Sequence, residues 1–103
     1  MTPRQLLKKN LRCIRAEQGW SQDQMAFCCG VKRSTYSGWE NTSGGVPDVD
    51  QLQAIADRFM VGADLLLSCD LSLLPVSKRR EIMRGGYVGR QMGHYVQMAV
   101  ENR

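Results

Sequence analysis

Apolar residues recur at spacings of three and four along most of this chain and seldom alternate, so the pattern predicts an all-α fold. The first stripe, Leu7, Leu11 and Ile14, predicts a helix from Pro3 to Gln18. Thr2 stands at its N-cap, and proline falls in the first turn, where a missing N–H costs nothing. Gly19 closes this helix, and Trp20 is expected to fold into the core before the next cap. Ser21 can accept from the free N–H groups of a second helix, Gln22 to Cys29, which Gly30 ends by taking the left-handed conformation. A third helix, 32–40, follows at once, and two helices joined by so short a turn form a helix-turn-helix.

The apolar positions fit that crossing. Met25, Ala26 and Cys29 lie on one face of the second helix, while Val31, Tyr36 and Trp39 can point back at them. Trp39 is expected to be buried between the first, second and fourth helices. The other face of the third helix presents Lys32, Arg33, Ser34, Ser37 and Gly38, a set suited to phosphates and base edges.

Beyond Asn41 the stretch TSGGVPDVD is rich in turn formers and reads as a loop, its two glycines as a flexible connection. Asp48 or Asp50 then caps a fourth helix with the stripe Leu52, Ile55, Ala56 and Phe59. The segment CDLSLLP, from Cys69 to Pro75, reads as a linker with a sticky centre, and a short helix is expected from Ser77 to Met83. The last segment spaces Val88, Met92, Tyr95, Val96, Ala99 and Val100 along one helical face with nothing of its own to bury against.

The run LRxIRxxxGxSQxxMAxxxGVxRSTYSxWEN, within a match over residues 4–67, resembles the helix-turn-helix domains of the phage repressor and Cro family. The resemblance implies a five-helix repressor-like domain over 1–68, with Val61 to Leu66 as its short fifth helix and 69–103 as a C-terminal helical extension. It also implies sequence-specific binding of double-stranded DNA, with the helix 32–40 in the major groove. On this basis Gln22 would hold a phosphate, and Lys32, Arg33 and Ser34 would face base edges or backbone, with Ser37 on the same face. Arg15 resembles the family's helix 1 arginine that pairs with the glutamate of WEN, here Glu40, while staying near a phosphate; the alternative is that the two never meet. Backbone amides of the loop after Asn41 would add to phosphate binding. Gly38 departs from the family, whose members carry a longer side chain there.

Charge sharpens this reading. The net charge of +4 comes from a basic front (1–40, seven Lys/Arg against three Asp/Glu), an acidic middle (41–75, one against five) and a basic tail (76–103, six against two). One surface is therefore expected to turn towards a polyanion. The run Lys78-Arg79-Arg80 reads either as a DNA-backbone contact or as the solvated face of a short helix. With 103 residues the chain makes about one domain, without the apolar run needed to span a membrane or a signal-peptide core, so a cytoplasmic protein is expected.

Candidate chemistry beyond binding is thin. Cys13, Cys28, Cys29 and Cys69 lack the paired spacing of a zinc site, and free thiols are expected, with Cys29 in the core. His94 has no acid or nucleophile beside it, and the carboxylates Asp48, Asp50, Asp57 and Asp64 read as caps or solvated faces. No enzyme activity, cofactor or metal is expected. The sequence thus points to a repressor-like transcriptional regulator acting as a homodimer, its stripe from Val88 to Val100 pairing with a twin or covering Phe27 and Cys28. The alternative is an antitoxin or similar module whose extension binds a partner protein.

Overall fold

The computed structural model describes residues 1–83, and these contain helices, turns and loops but no strand. Helices α1 (Pro3–Gln18), α2 (Gln22–Cys29), α3 (Arg33–Glu40), α4 (Val49–Phe59) and α5 (Ala63–Ser68) are followed by a 3-10 turn (Leu71–Leu73) and α6 (Val76–Met83).

Three helices begin with the same device. Thr2, Ser21 and Asp48 each accept from the backbone N–H three residues on, while Gln5, Gln24 and Gln51 accept in return from the cap's own N–H. Each reciprocal pair satisfies two otherwise orphaned donors and fixes where its helix starts. At the far end of α2, Gly30 takes φ 71°, a left-handed conformation that leaves room for the chain to reverse into α3. Met60 ends α4 with φ 58°, where a side chain costs about 1–2 kcal/mol that glycine would not.

The core gathers Leu7, Leu11 and Ile14 of α1, Met25 and Ala26 of α2, Tyr36 and Trp39 of α3, Ile55, Ala56 and Phe59 of α4, and Leu65 and Leu66 of α5. Cys29, placed in the core by its spacing, is only half-buried, as are Trp20, Val31 and Leu52. Trp20 still meets Phe59 edge-on at 6.0 Å, sealing the core beneath the α1–α2 turn.

The linker reading of Cys69 to Pro75 is wrong. Cys69, Leu71 and Leu74 are buried in the same core, and the 3-10 turn packs on α1. Asn10 holds it there: its Nδ2 donates to Leu66 O (2.8 Å) and Cys69 O (2.7 Å), and its Oδ1 accepts from Leu71 N (3.0 Å). The packed unit therefore runs past Ser68 to Leu74.

Neither reading of the basic run Lys78-Arg79-Arg80 describes it fully. Arg79 Nε and Nη2 both donate to Glu17 Oε1, at 3.0 and 2.7 Å, and Nη1 donates to Leu74 O at 2.8 Å. Arg80 reaches the other oxygen of Glu17 at 3.4 Å, so α6 is clipped to the end of α1. The stripe of Val88, Met92, Tyr95, Val96, Ala99 and Val100, and its pairing or its covering of Phe27, lie outside the described residues.

Candidate nucleic-acid interface

Helix α3 is eight residues long, and its two sides differ sharply. Tyr36, Trp39 and Glu40, at spacings of three and four, are buried; the two rings meet edge-on at 5.8 Å. Lys32 holds the N-cap position rather than the first helical turn, and with Arg33, Ser34 and Thr35 it is exposed at the amino end. Ser37 and Gly38, one turn later, are half-buried. An exposed helix amino end carries unpaired N–H groups and a partial positive charge, so cationic and hydroxyl side chains there add to an existing anion preference.

Arg15 braces the opposite, carboxyl end of α3. Its Nε and Nη2 meet Glu40 Oε2 and Oε1 at 2.6 and 2.9 Å, and its Nη1 donates to Trp20 O at 3.1 Å. Gln22 Nε2 reaches Glu40 Oε1 at 3.2 Å, so α1 and the start of α2 converge on the last residue of α3. Burial works to raise the Glu40 pKa, but hydrogen bonds from Arg15, Tyr36 and Gln22 outweigh it and hold the carboxyl below its ordinary range. The bond to Glu40 likewise raises Arg15 above its ordinary value against the opposing effect of burial. Arg15 and Gln22 thus spend polar groups inside the protein, whereas Lys32, Arg33 and Ser34 face solvent together. Arg33 lies 3.6 Å from Asp23, but both side chains are more than half exposed, a geometry in which solvent screening leaves little net energy.

Sequence reasoning missed a second set of cations. Lys8 is buried, and its Nζ donates to Gly38 O (3.0 Å), Gly44 O (3.0 Å) and Gly45 O (2.7 Å). Arg4 Nη2 adds a bond to Gly44 O at 2.8 Å. The glycines read as a flexible connection are instead a close approach: a Cβ on Gly44 would clash with the backbone of Gly38. Gly38 itself supplies the backbone against which the loop closes. The available signal was three glycines in one segment with a lysine beside the Leu7, Leu11, Ile14 stripe.

Other chemistry is sparse among the described residues. No group of three or more His, Cys, Asp or Glu could hold a metal ion, and no helix is long and apolar enough to cross a membrane. Burial, with help from Cys28, pushes the Cys29 thiol up to about 11, away from the reactive thiolate.

The helix-turn-helix family profile matches residues 11–66, from the middle of α1 into α5. A protein of Neisseria meningitidis serogroup B, described as a Neisseria hypothetical transcription factor, is 29% identical over 89 residues, covering 86% of this chain and 77% of that protein. A likeness of that length cannot be contained in α1 to α5 and continues into the C-terminal segment. No solved structure matches the chain.

Proposed function

This chain belongs to the helix-turn-helix family, and from that premise we propose that it is a transcriptional regulator of the repressor type, seating the amino end of α3 in the major groove of double-stranded DNA. The observation that carries the reading is the solvent-facing group Lys32, Arg33 and Ser34 on a helix whose other end is locked by Arg15 and Gln22 through Glu40. Arg33 selects a base, by a bidentate contact to guanine O6 and N7. Lys32, Ser34 and Ser37 supply backbone or base-edge contacts, and Gln22 and Arg15, braced on Glu40, lie at the phosphate. Binding is then the whole mechanism: cations release counterions from the duplex, and a seated protein excludes or recruits polymerase. The relative's description as a transcription factor supports regulation as the outcome of binding.

Two half-sites about one helical turn apart call for two copies of the protein. We assign DNA reading to the domain expected over 1–68, completed by the packed residues to Leu74, and dimerisation to the extension beyond it, through Val88, Met92, Tyr95, Val96, Ala99 and Val100. A two-fold contact needs only one self-complementary patch, which that stripe supplies.

The test is a pair of variants on DNA selected by the wild-type protein. Arg33→Ala relaxes preference at one base pair per half-site, by about 1–3 kcal/mol, whereas Gln22→Ala weakens selected and unselected DNA alike. Unchanged base preference in Arg33→Ala moves that residue to the phosphate contacts.

One observation favours a second reading, a module such as an antitoxin that binds a partner protein. Phe27 is 89% exposed beside an open groove of about 630 Å³ lined also by Trp20, Cys28 and Arg58. An exposed phenylalanine over a groove is a common protein contact. Co-purification of a neighbouring-gene product in fixed ratio, with no DNA selected, would establish it.

A further inference from the structure

We infer that the cleft between α1 and the loop after α3 is a second anion site, taking a DNA backbone phosphate that flanks the bases read by α3, with Arg12 as its principal contact. The inference rests on the proposed DNA-binding function and extends it to a part of α1 that base reading does not use. The cleft has a volume of about 260 Å³, and its lining includes Arg4, Gln5, Lys8, Lys9, Arg12, Glu40 and Thr42.

The balance of charge carries the argument. Glu40 is the sole carboxylate among the cleft's lining residues, and it is already engaged by Arg15 at 2.6 and 2.9 Å. Lys9 turns to Asp70 at 2.8 Å. Three cations remain, spaced four apart on one helix face, and none meets a carboxylate among the described residues. Lys8 spends its three N–H donors on three carbonyls, which satisfies its hydrogen bonds but leaves its charge unneutralised in a buried place. Burial and the nearby Arg4 both lower its pKa, the direction expected where positive charge accumulates. Arg4 gives one bond to Gly44 O and keeps its other donors. Arg12 is exposed and has no hydrogen bond or ion pair among the described residues, so its full planar fork is available.

Position supports the same ligand. The cleft borders Glu40 and Thr42, at the carboxyl end of α3, while Lys32 and Arg33 stand at the amino end. A helix of eight residues is about 12 Å long, close to the width of the major groove. With one end of α3 at the bases, the other lies beside the phosphates of the groove's edge. Lys8 then acts as a positioning residue, holding the Gly44 and Gly45 loop closed and adding charge behind the site, while Arg12, Arg4 and the Thr42 hydroxyl touch the phosphate.

The experiment measures affinity of the full chain for duplex DNA of random sequence across about 50–200 mM salt. Each phosphate contact contributes about 0.9 to the slope of log affinity against log salt. Arg12→Ala is expected to make the slope shallower by about 0.9 and to weaken binding about three- to ten-fold at the middle of that range, equally on selected and unselected DNA. Arg12→Lys restores the slope, and Arg58→Ala, on the Phe27 groove, leaves it unchanged. Arg12 is exposed, so unaltered thermal unfolding of the variant separates lost contact from lost fold. A wild-type slope in Arg12→Ala overturns the phosphate site while leaving the DNA-binding reading intact. Failure of Arg12→Lys to restore the slope also overturns it. No binding by the wild type to any duplex overturns both.

Discussion

Helix α1 carries its charges in two neighbourhoods that obey opposite rules. Towards the 3-10 turn, α6 and the end of α3, its charged side chains meet opposite ones: Lys9 with Asp70 at 2.8 Å, Arg15 with Glu40 at 2.6 Å, Glu17 with Arg79 at 2.7 Å. Towards the glycine loop, Arg4 and Lys8 meet only carbonyls, and Arg12 meets nothing among the described residues. Charges of the first kind hold the protein's own elements in place. Charges of the second kind have no opposite charge beside them among the described residues, and on the proposal above they fall into balance only against an external anion, so the contrast would separate paired scaffold charges from a binding surface along a single helix.

The largest effect should come from breaking the paired neighbourhood at its most buried point. Glu40 has a side chain 3% exposed, and Arg15→Ala leaves that carboxylate without its partner. We expect a loss of about 3–5 kcal/mol in urea unfolding, a large part of what a small domain has. A loss under about 1 kcal/mol would mean that Gln22 and Tyr36 alone satisfy Glu40.

Lys8→Met tests the other neighbourhood. The three glycine carbonyls lose their donor, at a cost of about 1–3 kcal/mol, but no carboxylate is stranded. The penalty should therefore be smaller than for Arg15→Ala and nearly independent of pH between about 5 and 8. A penalty as large as that of Arg15→Ala would erase the distinction between the two sets.

Acid should attack only the paired side. Glu17 is held below its ordinary value by hydrogen bonds from Arg79, against the pull of burial. In Glu40 and Asp70 burial raises the pKa, but hydrogen bonds from Arg15 and Lys9 outweigh it. Groups with depressed folded-state values contribute stability above their unfolded values, near about 4, and lose it as pH falls through the folded ones. The unfolding free energy should thus be level above about pH 5 and decline below about pH 4, and Glu17→Gln, costing about 1–2 kcal/mol at neutral pH, should make that decline shallower. A wild-type curve that stays level down to about pH 2 would show that these pairs contribute nothing.

The smallest effect on stability is expected at Arg12. Arg12→Ala removes a cation with no partner among the described residues, so the unfolding free energy in urea should change by no more than about 0.5 kcal/mol, upward if the repulsion with Arg4 and Lys8 matters. A loss above about 1 kcal/mol would place Arg12 with the scaffold charges.

Much of the scaffold was legible because it rests on local chemistry. The cap residues Thr2 and Ser21, the stop at Gly30 and the stripes of α1 and α4 each announce themselves within a few residues, and Arg15 with Glu40 followed from family resemblance. What escaped depends on chain segments far apart. Asn10 looks like a solvated residue until Leu66, Cys69 and Leu71 arrive beside it, some 56 to 61 positions away. Lys8 is similar: its three carbonyl partners are 30 to 37 positions on, and a buried lysine gives no periodic signal. The linker reading of Cys69 to Pro75 failed for the same reason, since its leucines gain a core only when α1 presents Asn10 to the turn. At the proposed DNA side, Lys32, Arg33 and Ser34 were legible as a group, but the cleft of Arg4, Lys8 and Arg12 was not, because its far wall, Glu40 and Thr42, lies some 28 or more positions away in sequence.

Whether α3 reads DNA for a symmetric pair of molecules is tested most directly by selection of bound duplexes from a random pool with the 103-residue protein. The expected result is an enriched inverted repeat whose half-sites are centred about one helical turn, roughly 34–36 Å, apart. Recovery of no shared sequence after repeated rounds would contradict it.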